Sequence, residues 1–118
     1  MIHCFYPDKQ GGTERFLLNL AHEQQRCGNQ VKIISMGTRT LNEYQPYSEG
    51  IYTRQYQYQE LAVVEFRYKK APRGMQYKNI DCENKELVAF AEKMLKEENP
   101  DIVHCVYPQP FSSFLNIC

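Results

Sequence analysis

The chain has 118 residues, 42% apolar and 24% charged, with 14 basic and 14 acidic side chains and a formal net charge of zero. That length allows one domain at most, and the neutral balance removes the electrostatic footprint of a nucleic-acid binder. No apolar run approaches the roughly 18 residues of a membrane-spanning helix, and no basic segment with a long apolar core marks a secretory leader.

In chain order, residues 2–6 form a short apolar run that reads as a first strand. Pro7-Asp8-Lys9-Gln10-Gly11-Gly12 follows as a loop, and a helix is expected over residues 13–26. Leu17, Leu20, Ala21 and Gln24 share one stripe of that helix with Phe16 on its flank, while Glu14, Arg15, Glu23 and Arg26 lie mainly elsewhere. Glu14 suits the positive end of the helix dipole, and Gly28 supplies the stop. Residues 30–36 then read as a second strand, near-continuously apolar as in a parallel sheet covered on both faces. Strand, glycine loop, helix and strand make a βαβ unit. Gly11 and Gly12 sit where the first helical N–H groups lack partners within the helix, a setting that attracts phosphate or carboxylate. A tight turn with no ligand explains the same pair equally well on spacing alone.

Beyond Gly37 the apolar pattern fails. Tyrosines scattered among polar residues, with Pro46 and Gly50 as breakers, give a long surface excursion over residues 38–59, with a short hairpin strand around residues 54–57. Residues 61–68 form a third strand, Val64, Phe66 and Tyr68 pointing one way and Glu65 and Arg67 the other. A loop over residues 69–84 leads to a second helix over residues 85–98, burying Leu87, Val88, Ala91, Met94 and Leu95 and ended by Asn99-Pro100. Residues 102–106 read as a fourth strand, and residues 111–118 open a third helix.

The expected fold is α/β: an open parallel Rossmann-like sheet of about four strands with flanking helices, in the order 3-2-1-4. Its ligand crevice would lie at the carboxyl ends of the first and fourth strands, at Gln10-Gly11-Gly12 and Val106-Tyr107-Pro108. A dinucleotide fingerprint needs a third glycine where this chain has Phe16. His104 taken alone reads as a hydrogen-bonded core residue. Arg54, Arg67, Lys69, Lys70, Arg73 and Lys78 lie among tyrosines, opposed by Glu60 and Glu65. A solvated face is the first reading of that patch, an acceptor surface the second and a nucleic-acid surface the last. Cys4, Cys27, Cys82, Cys105 and Cys118 are odd in number and lack a C-x-x-C pair, the pattern of reduced thiols in a cytoplasmic protein.

The stretch Phe5-Tyr6-Pro7-Asp8-Lys9-Gln10-Gly11-Gly12-Thr13-Glu14-Arg15, continued by Leu17-Leu18-Asn19-Leu20-Ala21 and Gly28-Asn29-Gln30-Val31, resembles the opening of the family 4 glycosyltransferases. Pro100-Asp101-Ile102-Val103-His104 resembles a second landmark of the same domain. The resemblance implies that residues 1–118 are part of the amino-terminal, acceptor-side domain of a two-domain GT-B enzyme whose donor-binding carboxyl-terminal domain is absent here. It implies retaining transfer of a hexose from a nucleotide diphosphate sugar to an acceptor hydroxyl, with no metal or other cofactor. The implied partners are the nucleotide sugar, a carbohydrate or lipid-linked acceptor and the carboxyl-terminal domain, in a cytoplasmic setting that extends to the inner membrane face. The implied site has Gly11, Gly12 and Thr13 facing donor phosphates or acceptor, and His104, Tyr107 and Pro108 at the cleft edge. Catalytic residues are not identified. The family often alternates two histidines here, and Val106 stands at the second position. Residues 1–118 alone are expected to be catalytically silent, because donor and acceptor must be held between two domains. Two alternatives remain: a non-catalytic Rossmann-like interaction module, favoured by Val106, and another nucleotide-binding α/β enzyme, opposed by Phe16.

Overall fold

A computed structural model describes residues 5–8, 10–69 and 85–104. Helix α1 (Gly12–Arg26) leads into strand β1 (Lys32–Met36), a single 3-10 turn (Leu41–Glu43), strands β2 (Gln45–Ser48), β3 (Ile51–Tyr58) and β4 (Leu61–Tyr68), and helix α2 (Lys85–Glu98). The four strands form one sheet in the order β1-β4-β3-β2. β1 and β4 are parallel, with Lys32 opposite Ala62 and Met36 opposite Phe66. β3 is antiparallel to β4, Tyr58 opposite Leu61 and Ile51 opposite Tyr68, and β2 pairs antiparallel with β3 through a register shift between Pro46 and Ser48.

The α/β class, the open four-stranded sheet and the flanking helices are as the sequence leads one to expect. The adjacency of residues 30–36 and 61–68 also holds. The sheet is mixed, however, because the excursion of residues 38–59 joins it as two antiparallel strands. A two-residue link, Gln59-Glu60, can connect β3 to β4 only antiparallel. Both residues have positive φ, 47° and 68°, as a type I′ hairpin turn requires. Residues 5–6 are not in a strand, and residues 102–104 are not either; Ile102 is 84% exposed. Residues 2–4 and 105–106 of the expected first and fourth strands, and the expected third helix, lie outside the described residues.

Side-chain alternation sorts the core onto two faces. Ile34, Ile51, Val64, Phe66 and Tyr68 meet Leu87, Phe90, Ala91 and Met94 of α2. Ile33, Leu61 and Val63 meet Leu17 and Ala21 of α1, together with Phe5 and Tyr6. Neighbours such as Ile33 and Ile34 therefore serve opposite helices, which explains why these strands read as continuously apolar. Phe90 is fully buried and tilts against Phe66 with ring centroids 4.8 Å apart, although the expected face of α2 did not include it. On α1 the buried stripe is Glu14, Leu17 and Ala21, so the helix is rotated from expectation, leaving Leu20 half-buried and Phe16 exposed.

Both helix ends follow their sequence signals. Gly28 takes a φ of 92°, and the N–H groups of Gly28 and Asn29 close onto the carbonyls of Gln25 and Gln24. Asn99, at a φ of 45°, donates its N–H to the Leu95 carbonyl at 2.8 Å, and Pro100 ends α2. The α1 carboxyl half is tied to the β3–β4 turn, where the His22 ring donates to the Gln59 carbonyl and the Gln25 amide to the Glu60 carbonyl, both at 3.0 Å. A 15-residue helix spans about 22 Å. With its far end anchored at the start of β4, α1 carries the glycine loop toward the carboxyl ends of the parallel pair.

Candidate functional site

Gly11 is the residue before the helix, with extended backbone, and its carbonyl accepts the first helical bond from the Arg15 N–H at 3.0 Å. No side chain among the described residues caps this end. Instead the Glu14 carboxylate folds back over Gly11, so that a Cβ added there would lie 2.6 Å from Oε2. Gly12 and Thr13 are exposed in the first turn, and a Cβ on Gly12 would meet nothing within 4 Å among the described residues.

A charged network lies beside this loop on the α1 face of the sheet. Glu65 is 2% exposed, and its Oε2 accepts from the Tyr44 hydroxyl at 2.9 Å and from Arg54 Nε and Nη2 at 3.1 and 2.9 Å. The register of the β3–β4 hairpin sets Arg54 directly opposite Glu65. The Arg54 guanidinium also lies 4.4 Å from the centre of the Tyr56 ring, a cation–π contact, and the Tyr56 hydroxyl donates to the Tyr6 carbonyl. Arg39, just past β1, pairs with Asp8 and Glu43 while its carbonyl accepts from Arg67. Together these contacts tie residues 5–8 to the strands.

The ionisation states follow from these contacts. The Arg39 guanidinium holds the Asp8 carboxyl below its ordinary value. Burial, and then the hydrogen bond to Glu65, push the Tyr44 phenol up to about 12. Burial likewise raises Tyr56. Near neutral pH Asp8 is an anion, and Tyr44 and Tyr56 are neutral donors. In those states Asp8, Tyr44 and Tyr56 form a fixed hydrogen-bonding scaffold.

An open groove of about 480 Å³ adjoins the loop. Arg15, Leu18 and Asn19 of α1 line it together with Tyr58 and Gln59 of the β3–β4 hairpin and with Tyr6 and Gln10. Tyr6 stacks on Tyr58 with centroids 5.0 Å apart and planes 11° from parallel.

The expected site residues are thus only partly placed. Gly11, Gly12 and Thr13 do open α1. His104 is exposed and outside any strand, in place of a core position. Tyr107 and Pro108 lie outside the described residues, as do Lys70, Arg73 and Lys78 of the basic patch. Arg54 of that patch is consumed by Glu65. The network itself was not anticipated, because Glu65 finds its partners 11 and 21 residues away. An acidic residue inside the run Val63-Val64-Glu65-Phe66 was its one visible sign. Among the described residues no group of three or more His, Cys, Asp or Glu could hold a metal ion, and no helix is long and apolar enough to cross a membrane.

Residues 10–118 match the family model described as Glycosyltransferase Family 4, a match that begins at the loop just described. No curated protein and no solved structure gives a significant match.

Proposed function

The chain belongs to glycosyltransferase family 4, and on that footing we propose that it forms part of the acceptor-side domain of a retaining hexosyltransferase. The donor is a nucleotide diphosphate sugar, held mainly by a carboxyl-terminal domain outside this sequence. The acceptor is a hydroxyl of a carbohydrate or lipid-linked glycan, met in the cytoplasm or at the inner membrane face. No metal or other cofactor enters the proposal.

Gly12 carries this reading. It has no positive φ and no neighbour that a Cβ would strike among the described residues. No described neighbour therefore demands a glycine there. Its bare backbone instead suits close approach by an anion to the unpaired N–H groups of the first turn, with the Thr13 hydroxyl alongside. Donor phosphates at that point would have the charge that develops on the leaving group stabilised by fixed dipoles. His104, Tyr107 and Pro108 would form the facing edge of the cleft.

The test is Gly12→Ala and Gly12→Val in the protein that carries this chain with its donor domain. The expected result is a transfer rate lower by at least about tenfold, an added barrier of roughly 1.4 kcal/mol, with a melting temperature equal or higher for the alanine variant. Unchanged rates would remove the loop from the site. The rival reading, a non-catalytic module favoured by Val106, requires that no nucleotide sugar be consumed by that protein with any acceptor.

A further inference from the structure

We propose that the groove between α1 and the β3–β4 turn is a subsite for an acidic saccharide, a sugar unit whose carboxylate or phosphate is held by Arg15. Its assignment to the acceptor rests on the transferase reading above; the binding chemistry does not.

Among the described residues Arg15 stands apart from the other arginines. Arg26 pairs with Glu23, Arg39 with Asp8 and Glu43, Arg54 with Glu65, and Arg67 donates to the Arg39 carbonyl. Among the described residues Arg15 has no such partner, and none of their carboxylates lines the groove it faces. A guanidinium left open in this way presents a planar fork that matches a carboxylate or phosphate.

The rest of the lining suits a polyol. Gln10, Asn19 and Gln59 bring side-chain amides, each able to donate and accept, and Tyr58 brings a phenol. Leu18 supplies a small apolar surface for the C–H face of a sugar ring. About 480 Å³ of open groove leaves room for one sugar unit.

The walls are built in advance of any ligand. His22 and Gln25 hold the turn against α1, and the Tyr6–Tyr58 stack fixes two of the lining rings against each other. Such preorganisation spares a ligand the cost of ordering its own site. Gln10 belongs to the groove and Gly11 follows it in the chain, so an occupant lies alongside the glycine loop.

The experiment titrates the full chain with glucuronate, glucose 6-phosphate, glucose and inorganic phosphate, following binding by calorimetry and NMR shifts. Both acidic sugars should bind about tenfold more tightly than glucose, the gain from one charge-assisted fork. Arg15→Gln should bring them down to the affinity of glucose, and Asn19→Asp, which places a carboxylate in the groove, should weaken them in the same direction. Arg15 and Asn19 are exposed, so both variants should fold, with circular dichroism as the check. The proposal is overturned if none of the sugars binds, if acidic and neutral sugars bind equally, if inorganic phosphate binds as tightly as glucose 6-phosphate, or if Arg15→Gln changes nothing. A parallel transfer assay, run on the protein that carries this chain with its donor domain, separates the two readings. Turnover restricted to neutral acceptors would end the acidic-acceptor assignment and leave the transferase reading standing. Arg15-dependent binding without turnover on any acceptor would support the groove while counting against the transferase.

Discussion

Arg39 and Asp8 meet fork to fork, Nε to Oδ2 at 2.8 Å and Nη2 to Oδ1 at 2.9 Å. The pair joins the segment ahead of the glycine loop to the chain leaving β1, so a charge contact fixes where the loop starts. Because the native Asp8 pKa is depressed, this stabilisation is full above the ordinary carboxylate value and is lost as pH falls through the lower native one. Asp8→Asn should therefore lower the melting temperature at pH 7 and remove part of the acid-side decline below about pH 4. Melting curves of both proteins across pH 2–7 check this. Parallel curves with a constant offset would mean that Asp8 acts through packing alone.

Glu65 is almost wholly buried, with Arg54 and the Tyr44 hydroxyl as its partners. Breaking such a pair from one side strands a charge, at a cost of roughly 3–5 kcal/mol. Arg54→Leu should destabilise toward the lower end of that range, since Arg54 keeps some solvent contact. Replacing both residues with leucine should recover most of the loss. Urea unfolding of the two singles and the double is the measurement, and additive losses would show that the pair is not coupled.

Gly37 leaves room for that cluster. A Cβ there would fall 2.1 Å from the Tyr44 hydroxyl oxygen and 2.8 Å from both Cγ and Cδ of Glu65. Gly37→Ala should cost about 1–3 kcal/mol through forced repacking. Gly12→Ala, with open space around it, should cost nothing. Denaturation midpoints of the two variants make the comparison.

Much of the architecture was legible because it rests on local signals. α2 combines a strong apolar stripe with Asn99-Pro100, and β4 is an apolar run of strand length. β3 was legible only in part, as a short hairpin strand around residues 54–57 that proves to be its middle, because its turn, Gln59-Glu60, carries neither glycine nor asparagine. Its inward residues Ile51 and Thr53 also alternate with partly covered tyrosines that read as loop. The network was invisible for a related reason: Arg54 and Glu65 meet only through the hairpin register. The glycine loop was legible as chemistry, and the groove beside it was not, since Tyr58 and Gln59 reach α1 only once the hairpin is placed.

Burial raises the phenols of Tyr44, Tyr47, Tyr56 and Tyr68, with nearby carboxylates adding to the effect. Above about pH 10 the unfolded chain has released these protons while the native chain keeps them. Unfolding then releases protons, so stability falls as pH rises, by about 1.4 kcal/mol per pH unit for each tyrosine involved. Denaturant titrations from pH 8 to 11.5 should show this fall. Tyr44→Phe should lower the slope although it removes a hydrogen bond.

Glu60 occupies the left-handed region at a φ of 68°, which costs a residue with a side chain roughly 1–2 kcal/mol. Its carbonyl accepts from Gln25, a contact that survives any side-chain change. Glu60→Gly should raise stability by about 0.5–1 kcal/mol, as expected at the second position of a type I′ turn. Thermal melts should show the gain.

That same tight connection sets an order of assembly. β3 and β4 are sequence neighbours and can zip within about 1–10 μs of meeting. β1 waits for a partner that is made thirty residues later, Lys32 opposite Ala62, and must close that loop against chain entropy. A ribosome adding roughly 5–20 residues per second would hold β1 and α1 unpaired for seconds, until β4 emerges already joined to β3. Of the four described strands the earliest is then the last to dock, and Ile33 and Ile34 stay uncovered until β4 is made.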